Sequence, residues 1–296
     1  MSGTLCLGEP SVDLIVEGSG DPVAHLGGAT ANVAVAAARA GGRVTFAGGA
    51  GEDRWGHWAR DRLAAEGVGL ERFRLLPGRG TQLAQVAIDE LGEPTYDLGE
   101  IVTGGLAAAL GDDPAAALAG AGGLCISSLT LATADERALT MSLRERALAG
   151  SPPRPVILDV SLRRARWSSR ADAAASVNAC VPGAVLVRAG RADAALLTGE
   201  DDPERAALAL RKAGARVVVI TLGSAGAIAR GERRLRRDAP ARPTRVLSTV
   251  GAAEALTGTL LAALERSGYY ADAAVAALDD GLAAAARACA RWGAND

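Results

Sequence analysis

Short, almost unbroken apolar runs recur along this chain, and a longer alanine-rich stretch of helical composition follows each in turn. The runs fall at residues 44–47, 123–127, 156–159, 184–188 and 217–221, and helical composition follows over segments such as 134–148 and 203–213. A strand that is apolar at successive positions has no face for water, so it must be covered on both sides. Strands of this kind separated by helices predict an α/β fold: a doubly wound, mostly parallel sheet flanked by helices. Such a sheet places its ligand crevice beyond the carboxyl ends of the strands.

Two regions break the rhythm. Residues 12–16 and 23–26 flank the turn sequence EGSGD, and residues 82–89 and 94–98 flank ELGE. Period-two alternation around a Gly/Asp turn is the mark of a β-hairpin. Two hairpins inserted in an α/β chain predict a small β-sheet standing off the main body as a lid, built from about 9–30 and 81–100. The alternative is that they are edge strands of the main sheet. The remainder of residues 1–296 would form the α/β core of the same single domain.

Composition narrows the class. Hydrophobic residues make up 49% and aromatics only 3%, so alanine, valine and leucine must fill the core. The formal net charge is −2, and no basic stripe is interleaved with aromatics, which argues against a nucleic-acid partner. Cys6, Cys125, Cys180 and Cys289 lie far apart with no CxxC pair, which reads as small buried hydrophobes rather than a zinc or redox site. No apolar run suits a signal peptide or a bilayer span, so the expectation is a cytoplasmic protein without a membrane partner. The proline cluster at 151–155 reads as a connector, and residues 271–292 as one closing helix packed on the sheet.

Four segments carry candidate chemistry. Gly27-Gly28-Ala29-Thr30-Ala31-Asn32 precedes a helix, where paired glycines let a ligand approach the backbone and the helix start offers N–H donors. Gly49-Ala50-Gly51-Glu52-Asp53-Arg54-Trp55-Gly56 lies between a strand and a helix. Thr221-Leu222-Gly223-Ser224-Ala225-Gly226 is a strand running into a glycine turn. Ser248-Thr249-Val250-Gly251-Ala252-Ala253-Glu254 leads into a helix.

In order and spacing these four segments resemble the ribokinase-like (PfkB) carbohydrate kinase family over nearly the whole chain, nearest to its fructokinase-like or 2-keto-3-deoxygluconate kinase-like branch. The resemblance implies an ATP- and Mg²⁺-dependent transfer of a phosphoryl group to a sugar hydroxyl. It places Asp13, Gly27, Gly28 and Asn32 on the sugar. Arg163 joins them from the stretch Asp159-Val160-Ser161-Leu162-Arg163, which is similar to the family's DPNxR. It makes Gly251, Ala252 and Ala253 an anion hole and Glu254 the catalytic base. It puts Thr221, Gly223, Gly226 and Arg188 beside the nucleotide, and Asp193 indirectly in the Mg²⁺ network. It also implies a homodimer formed through the lid.

This chain departs from the family's DTxGAGD and NxxE patterns. Ser248, Ala253 and Glu254 replace Asp, Gly and Asp, and Gly190 and Asp193 stand where Asn and Glu are usual. A longer carboxylate shifts the base by on the order of 1 Å, enough to matter for an in-line transfer. Two readings therefore stand side by side: a kinase using Glu254, and a catalytically impaired sugar- or nucleotide-binding protein on the same fold. The sugar itself, whether ketose, keto-sugar acid or nucleoside, is left open.

Overall fold

In the computed structural model, which describes residues 3–18, 20–99, 101–232, 235–242 and 244–295, the apolar runs become the strands of one large sheet. In chain order the strands are β1 (Thr4–Leu7), β2 (Ser11–Val16), β3 (Pro22–Gly27), β4 (Val44–Gly51), β5 (Gly69–Leu76), β6 (Leu83–Ile88), β7 (Pro94–Asp97), β8 (Gly123–Ser127), β9 (Val156–Val160), β10 (Ala184–Gly190), β11 (Val217–Thr221), β12 (Ala227–Arg230) and β13 (Arg236–Ala239). The helices are α1 (Ala29–Arg39), α2 (Arg54–Ala65), α3 (Gly105–Leu110), α4 (Ala134–Ala149), α5 (Arg170–Asn178), α6 (Arg191–Thr198), α7 (Pro203–Lys212), α8 (Ala252–Arg266), α9 (Ala271–Ala276) and α10 (Leu278–Cys289).

The large sheet has nine strands in the order β13-β12-β11-β10-β9-β8-β1-β4-β5. Every neighbouring pair from β11 to β5 is parallel, and β12 and β13 join antiparallel at one edge. Side chains alternate between two buried faces, as a pleated strand requires. Cys6, Phe46, Ile157 and Val219 pack with Val33, Leu260, Leu264 and Val275 from α1, α8 and α9. Leu5, Leu7, Leu158 and Ile220 pack on the opposite side with Leu106, Leu143, Val177 and Leu210 from α3, α4, α5 and α7. The doubly wound expectation holds.

Two polar residues interrupt these apolar strands. Asp159 on β9 stands directly opposite Arg188 on β10 in the register, and both are almost fully buried. The strands tolerate them because each neutralises the other, as described below.

The predicted hairpins form a separate four-stranded sheet of order β3-β2-β6-β7 rather than edges of the main one. Each hairpin is antiparallel, and β2 joins β6 in parallel, with Val12 opposite Leu83 and Asp13 opposite Ala84. Ile15, Ala84 and Val86 turn one face toward Val250 and Ala294, which lie beside the start of α8. Ser19 and Glu100, which fall within the expected lid segments, lie outside the described residues.

Two expectations need correction. The run at 44–47 continues as strand through Gly51, so the second glycine segment begins inside β4, and only Asp53 starts the helix, capping α2 by accepting from the Trp55 and Gly56 amides. The closing helix is two helices, broken at Ala277 (φ −84°, ψ 6°). Both pieces pack on α8; α9 also touches β10 and β11, whereas α10 also touches β12 and β13 and ends at Cys289. All four cysteines are free, with Cys6, Cys125 and Cys180 buried. Among the described residues, no helix is long and apolar enough to cross a membrane.

Candidate active site

The strand order reverses at β1, which has β4 on one side and β8 on the other. A crevice is expected beyond the carboxyl end of such a strand. Gly8 and Glu9, the residues that follow β1, line a narrow cleft of about 70 Å³ there. The small sheet forms its other wall with Asp13, Gln82, Tyr96 and Leu98, and Gly251 and Glu254 of the α8 start complete it. A second, wider cavity of about 810 Å³ lies on the far side of the same helix start. Thr221, Gly223 and Gly226 line that cavity together with Ala252 and Ala253. The first turn of α8 is thus a wall shared by two cavities.

Gly251 makes this geometry possible. It caps α8 at φ 77°, a left-handed conformation, and a Cβ there would lie 2.3 Å from Ala294 Cβ. A glycine is required both by the turn and by the chain packed against it. The α8 start leaves backbone N–H groups without intrahelical partners, although the Ala252 amide donates to the Thr249 carbonyl.

Glu254 is buried in the first turn of α8. Burial pushes its carboxyl above the usual range, and the Asp159 charge pushes the same way, while Arg188 and Arg163 draw it back. A carboxylate raised toward neutrality is a better proton acceptor than an ordinary one. Asp13 is pushed up to about 6, again by burial, against a hydrogen bond donated by Ser11 Oγ (3.0 Å) and the nearby Arg163.

The sugar-side residues expected from sequence gather in the narrow cleft, with one exception. Asp13, Gly28, Asn32 and Arg163 line it together with Glu254. Gly27 does not line it. A Cβ at Gly27 would lie 2.1 Å from Asp13 Oδ1, so this glycine makes room for the carboxylate instead. Asn32 Oδ1 accepts from Asn295 Nδ2 at 2.6 Å, which orients its amide from the C-terminal segment. The Arg163 guanidinium lies over the Tyr96 ring, 4.1 Å from its centroid, an arrangement that fixes the arginine plane by cation–π attraction.

On the other side, Thr221, Gly223 and Gly226 line the wide cavity, but Arg188 does not. It lines neither cavity and is 2% exposed. Its Nη2 lies 2.6 Å from Asp159 Oδ1 and its Nε donates to the same oxygen, to which Thr257 Oγ1 also donates (2.6 Å). Arg188 therefore neutralises a buried carboxylate and bears on Glu254 through space. Asp193 also lines neither cavity, and its Oδ2 accepts the Leu162 amide (3.4 Å). Among the described residues, no group of three or more His, Cys, Asp or Glu side chains could hold a metal ion.

Sequence reasoning missed Glu9, Tyr96, Glu136 and Arg166, all of which line the narrow cleft. Glu9 carried a signal, since it follows the first strand of an α/β chain. Tyr96 carried a weaker one, as the aromatic of the second hairpin. Glu136, in the first turn of α4, and Arg166, in a short 3₁₀ turn after β9, carried none.

The chain is 29% identical over 283 residues to a fructokinase of Klebsiella pneumoniae, covering 94% of this chain and 89% of that one. It is 28% identical over 275 residues to an aminoimidazole riboside kinase of Salmonella typhimurium, covering 91% of this chain and 83% of that one. The crystal structure of a fructokinase from Vibrio cholerae O395 with fructose, ADP and calcium ion bound superposes with a TM-score of 0.83 at 25% identity, covering 100% of this chain and 95% of that one. Residues 6–296 match the family model described as pfkB family carbohydrate kinase, and with nearly the whole chain matched, this protein belongs to that family.

Proposed function

We propose that the protein transfers the γ-phosphoryl group of ATP to a hydroxyl of a sugar, with Glu254 as the base. One observation carries this reading: the first turn of α8 separates the two cavities, with Glu254 facing the narrow one and Ala252 and Ala253 facing the wide one. A sugar held by Asp13 and Asn32 in the cleft presents a hydroxyl to the raised Glu254 carboxylate. ATP enters the wide cavity, whose small apolar walls and glycine turn suit a base and a phosphate chain. The α8 N-terminus, through Gly251, Ala252 and Ala253, favours the negative charge of the transferring group. The hydroxyl oxygen bonds to phosphorus as the bond to ADP breaks, and its proton passes to Glu254.

The small sheet acts as a lid, since four of its residues or their neighbours, Asp13, Gln82, Tyr96 and Leu98, wall the cleft and exclude water. The end of its first hairpin exposes Val16 (42%) and Val23 (43%), apolar surface that suits a homodimer contact through the lid. The substrate we favour is a ketohexose, given the named fructokinases among its relatives.

A panel of ketoses, keto-sugar acids and nucleosides in an ATP-consumption assay, with Glu254→Gln as control, tests the reading. Turnover of a sugar by the native chain and its loss in the variant are expected. Sugar and Mg-ATP should also each raise the melting temperature. Sugar binding with no turnover of any substrate would replace this reading with the impaired binding protein.

A further inference from the structure

The narrow cleft holds more polar groups than the transfer reaction uses. Asp13, Arg163 and Glu254 act on one another electrostatically. Glu9, in contrast, is governed by Glu136 and Arg166. The cleft therefore has a second charged group with its own internal balance.

Most of this group is anchored. Glu9 lies beside the Gly105 amide at the start of α3 and beside the Glu136 carboxyl. Glu136 Oε2 takes the Thr133 hydroxyl at 3.2 Å. Arg166 Nη2 lies 3.9 Å from Glu9 Oε2. Two atoms are left over: Glu136 Oε1 and Arg166 Nε are buried without a hydrogen-bond partner. Glu136 is 3% exposed and the Arg166 side chain 9%, yet both line the cleft. Buried polar atoms of a folded protein are nearly always satisfied, so an acceptor and a donor left open on a cavity wall point to a ligand.

We propose that Glu9, Glu136 and Arg166 form a second polar subsite of the cleft, which holds a hydroxyl of a neutral sugar and disfavours sugar acids. A hydroxyl accepts from Arg166 Nε–H and donates to Glu136 Oε1 at once. Two carboxyl groups stand there beside one guanidinium. A carboxylate has no proton for Glu136 and adds a further negative charge beside them. A cationic group would face Arg166. A neutral polyol meets neither obstacle.

This inference rests on the sugar kinase reading for its ligand, but its test does not need turnover. Titration calorimetry at pH 7 without nucleotide compares D-fructose with 2-keto-3-deoxy-D-gluconate. The native chain should bind fructose at least about tenfold more tightly than the acid, and Glu136→Gln or Arg166→Met should weaken fructose by about tenfold while narrowing that ratio. Because the ratio is taken within one variant, partial loss of folded protein does not affect it. Tighter binding of the acid by the native chain, no measurable binding of fructose, or a ratio unchanged in both variants would overturn the proposal. Fructose binding with the expected selectivity but no phosphorylation would overturn the kinase reading and leave the subsite standing. Equal phosphorylation of fructose and the acid would do the reverse.

Discussion

The two cavities that meet at the start of α8 are built on opposite principles. The narrow cleft is lined by carboxyls and guanidiniums, among them Glu9, Asp13, Glu136, Arg163, Arg166 and Glu254. The wide cavity is lined mostly by small or apolar residues such as Gly223, Ala241, Ala253, Leu256, Leu282 and Ala285. Of its charged residues, Arg242 reaches Asp279 (3.4 Å) and Glu93 accepts from Thr249 Oγ1 (3.1 Å). On the proposed function, recognition in the cleft would be by side chains, each set by a sheet or helix start, so a substitution of its charged residues changes a local charge balance. Recognition in the wide cavity would then be by shape and backbone, and depend less on residue identity. The departures from the family's pattern straddle this divide: Ala253 faces the wide cavity and Glu254 the narrow one.

The largest effect expected from this contrast is at Glu254. Glu254→Gln keeps the shape of the cleft and removes the proton acceptor, so kcat should fall by about 10²–10⁴-fold, the usual range for a general base. Thermal stabilisation by sugar and by ATP should survive. Loss of ATP binding in this variant would show that the wide cavity is not independent of the cleft.

Next in size is the buried pair behind the cleft. Removing Arg188 leaves Asp159 buried and uncompensated beside Glu254, and breaking such a pair costs about 3–5 kcal/mol. Arg188→Met should show that loss in chemical denaturation. Asp159→Asn in the same chain should recover part of it, because the uncompensated charge is gone. In Arg188→Met alone the acidic limb of the turnover profile, which the Glu254 base governs, should move up in pH, since Arg188 lowers the Glu254 carboxyl pKa. A variant as stable as the native chain would mean that Arg188 is not the counter-charge the geometry makes it.

The same contrast explains what could be read from sequence. The parallel sheet was legible because apolar runs leave strands no choice but burial, and the hairpins because alternation and turn residues are local signals. Asp13, Asn32, Arg163 and Glu254 were legible through motif order. Arg188 was not, because sequence adjacency to a nucleotide-side segment does not say which face of β10 a side chain takes. It points to the interior, opposite Asp159. Glu136 and Arg166 come from separate elements and meet only through the winding of the sheet, so no local pattern announces them. The break at Ala277 was hidden for a different reason: an alanine-rich stretch has helical composition throughout, and α9 and α10 differ only in which sheet strands they touch besides α8.

A smaller effect sharpens the boundary between the cavities. Ala253→Gly removes a methyl group from the wide side, and Glu254→Asp draws the base back toward the main chain on the narrow side. Both act on one in-line alignment, so their effects should be non-additive. The double variant should exceed either single change in kcat, by several-fold, with KM for sugar shifting less. If the double change slows a native chain that is already fast, Glu254 is an adapted base and the cleft is shaped around its length.

The smallest expected effect concerns the proton held inside the cleft. The Glu9 carboxyl is raised from 4.5 to about 9, first by burial, then by the hydrogen bond and charge of Glu136, against Arg166 and the Gly105 amide. The folded chain therefore binds this proton more tightly than the unfolded chain does. By linkage, the contribution to stability is complete below about pH 4.5 and is lost as the pH rises toward about 9. Glu9→Gln keeps a hydrogen-bond donor toward Glu136 and does not titrate. The difference in melting temperature, variant minus native, should therefore become more positive by a few degrees from pH 5 to pH 9. The wide cavity supplies the control, since neither Glu9 nor Glu136 lines it. Parallel pH profiles for the native chain and Glu9→Gln would show that folding does not tighten the hold of the Glu9 carboxyl on its proton.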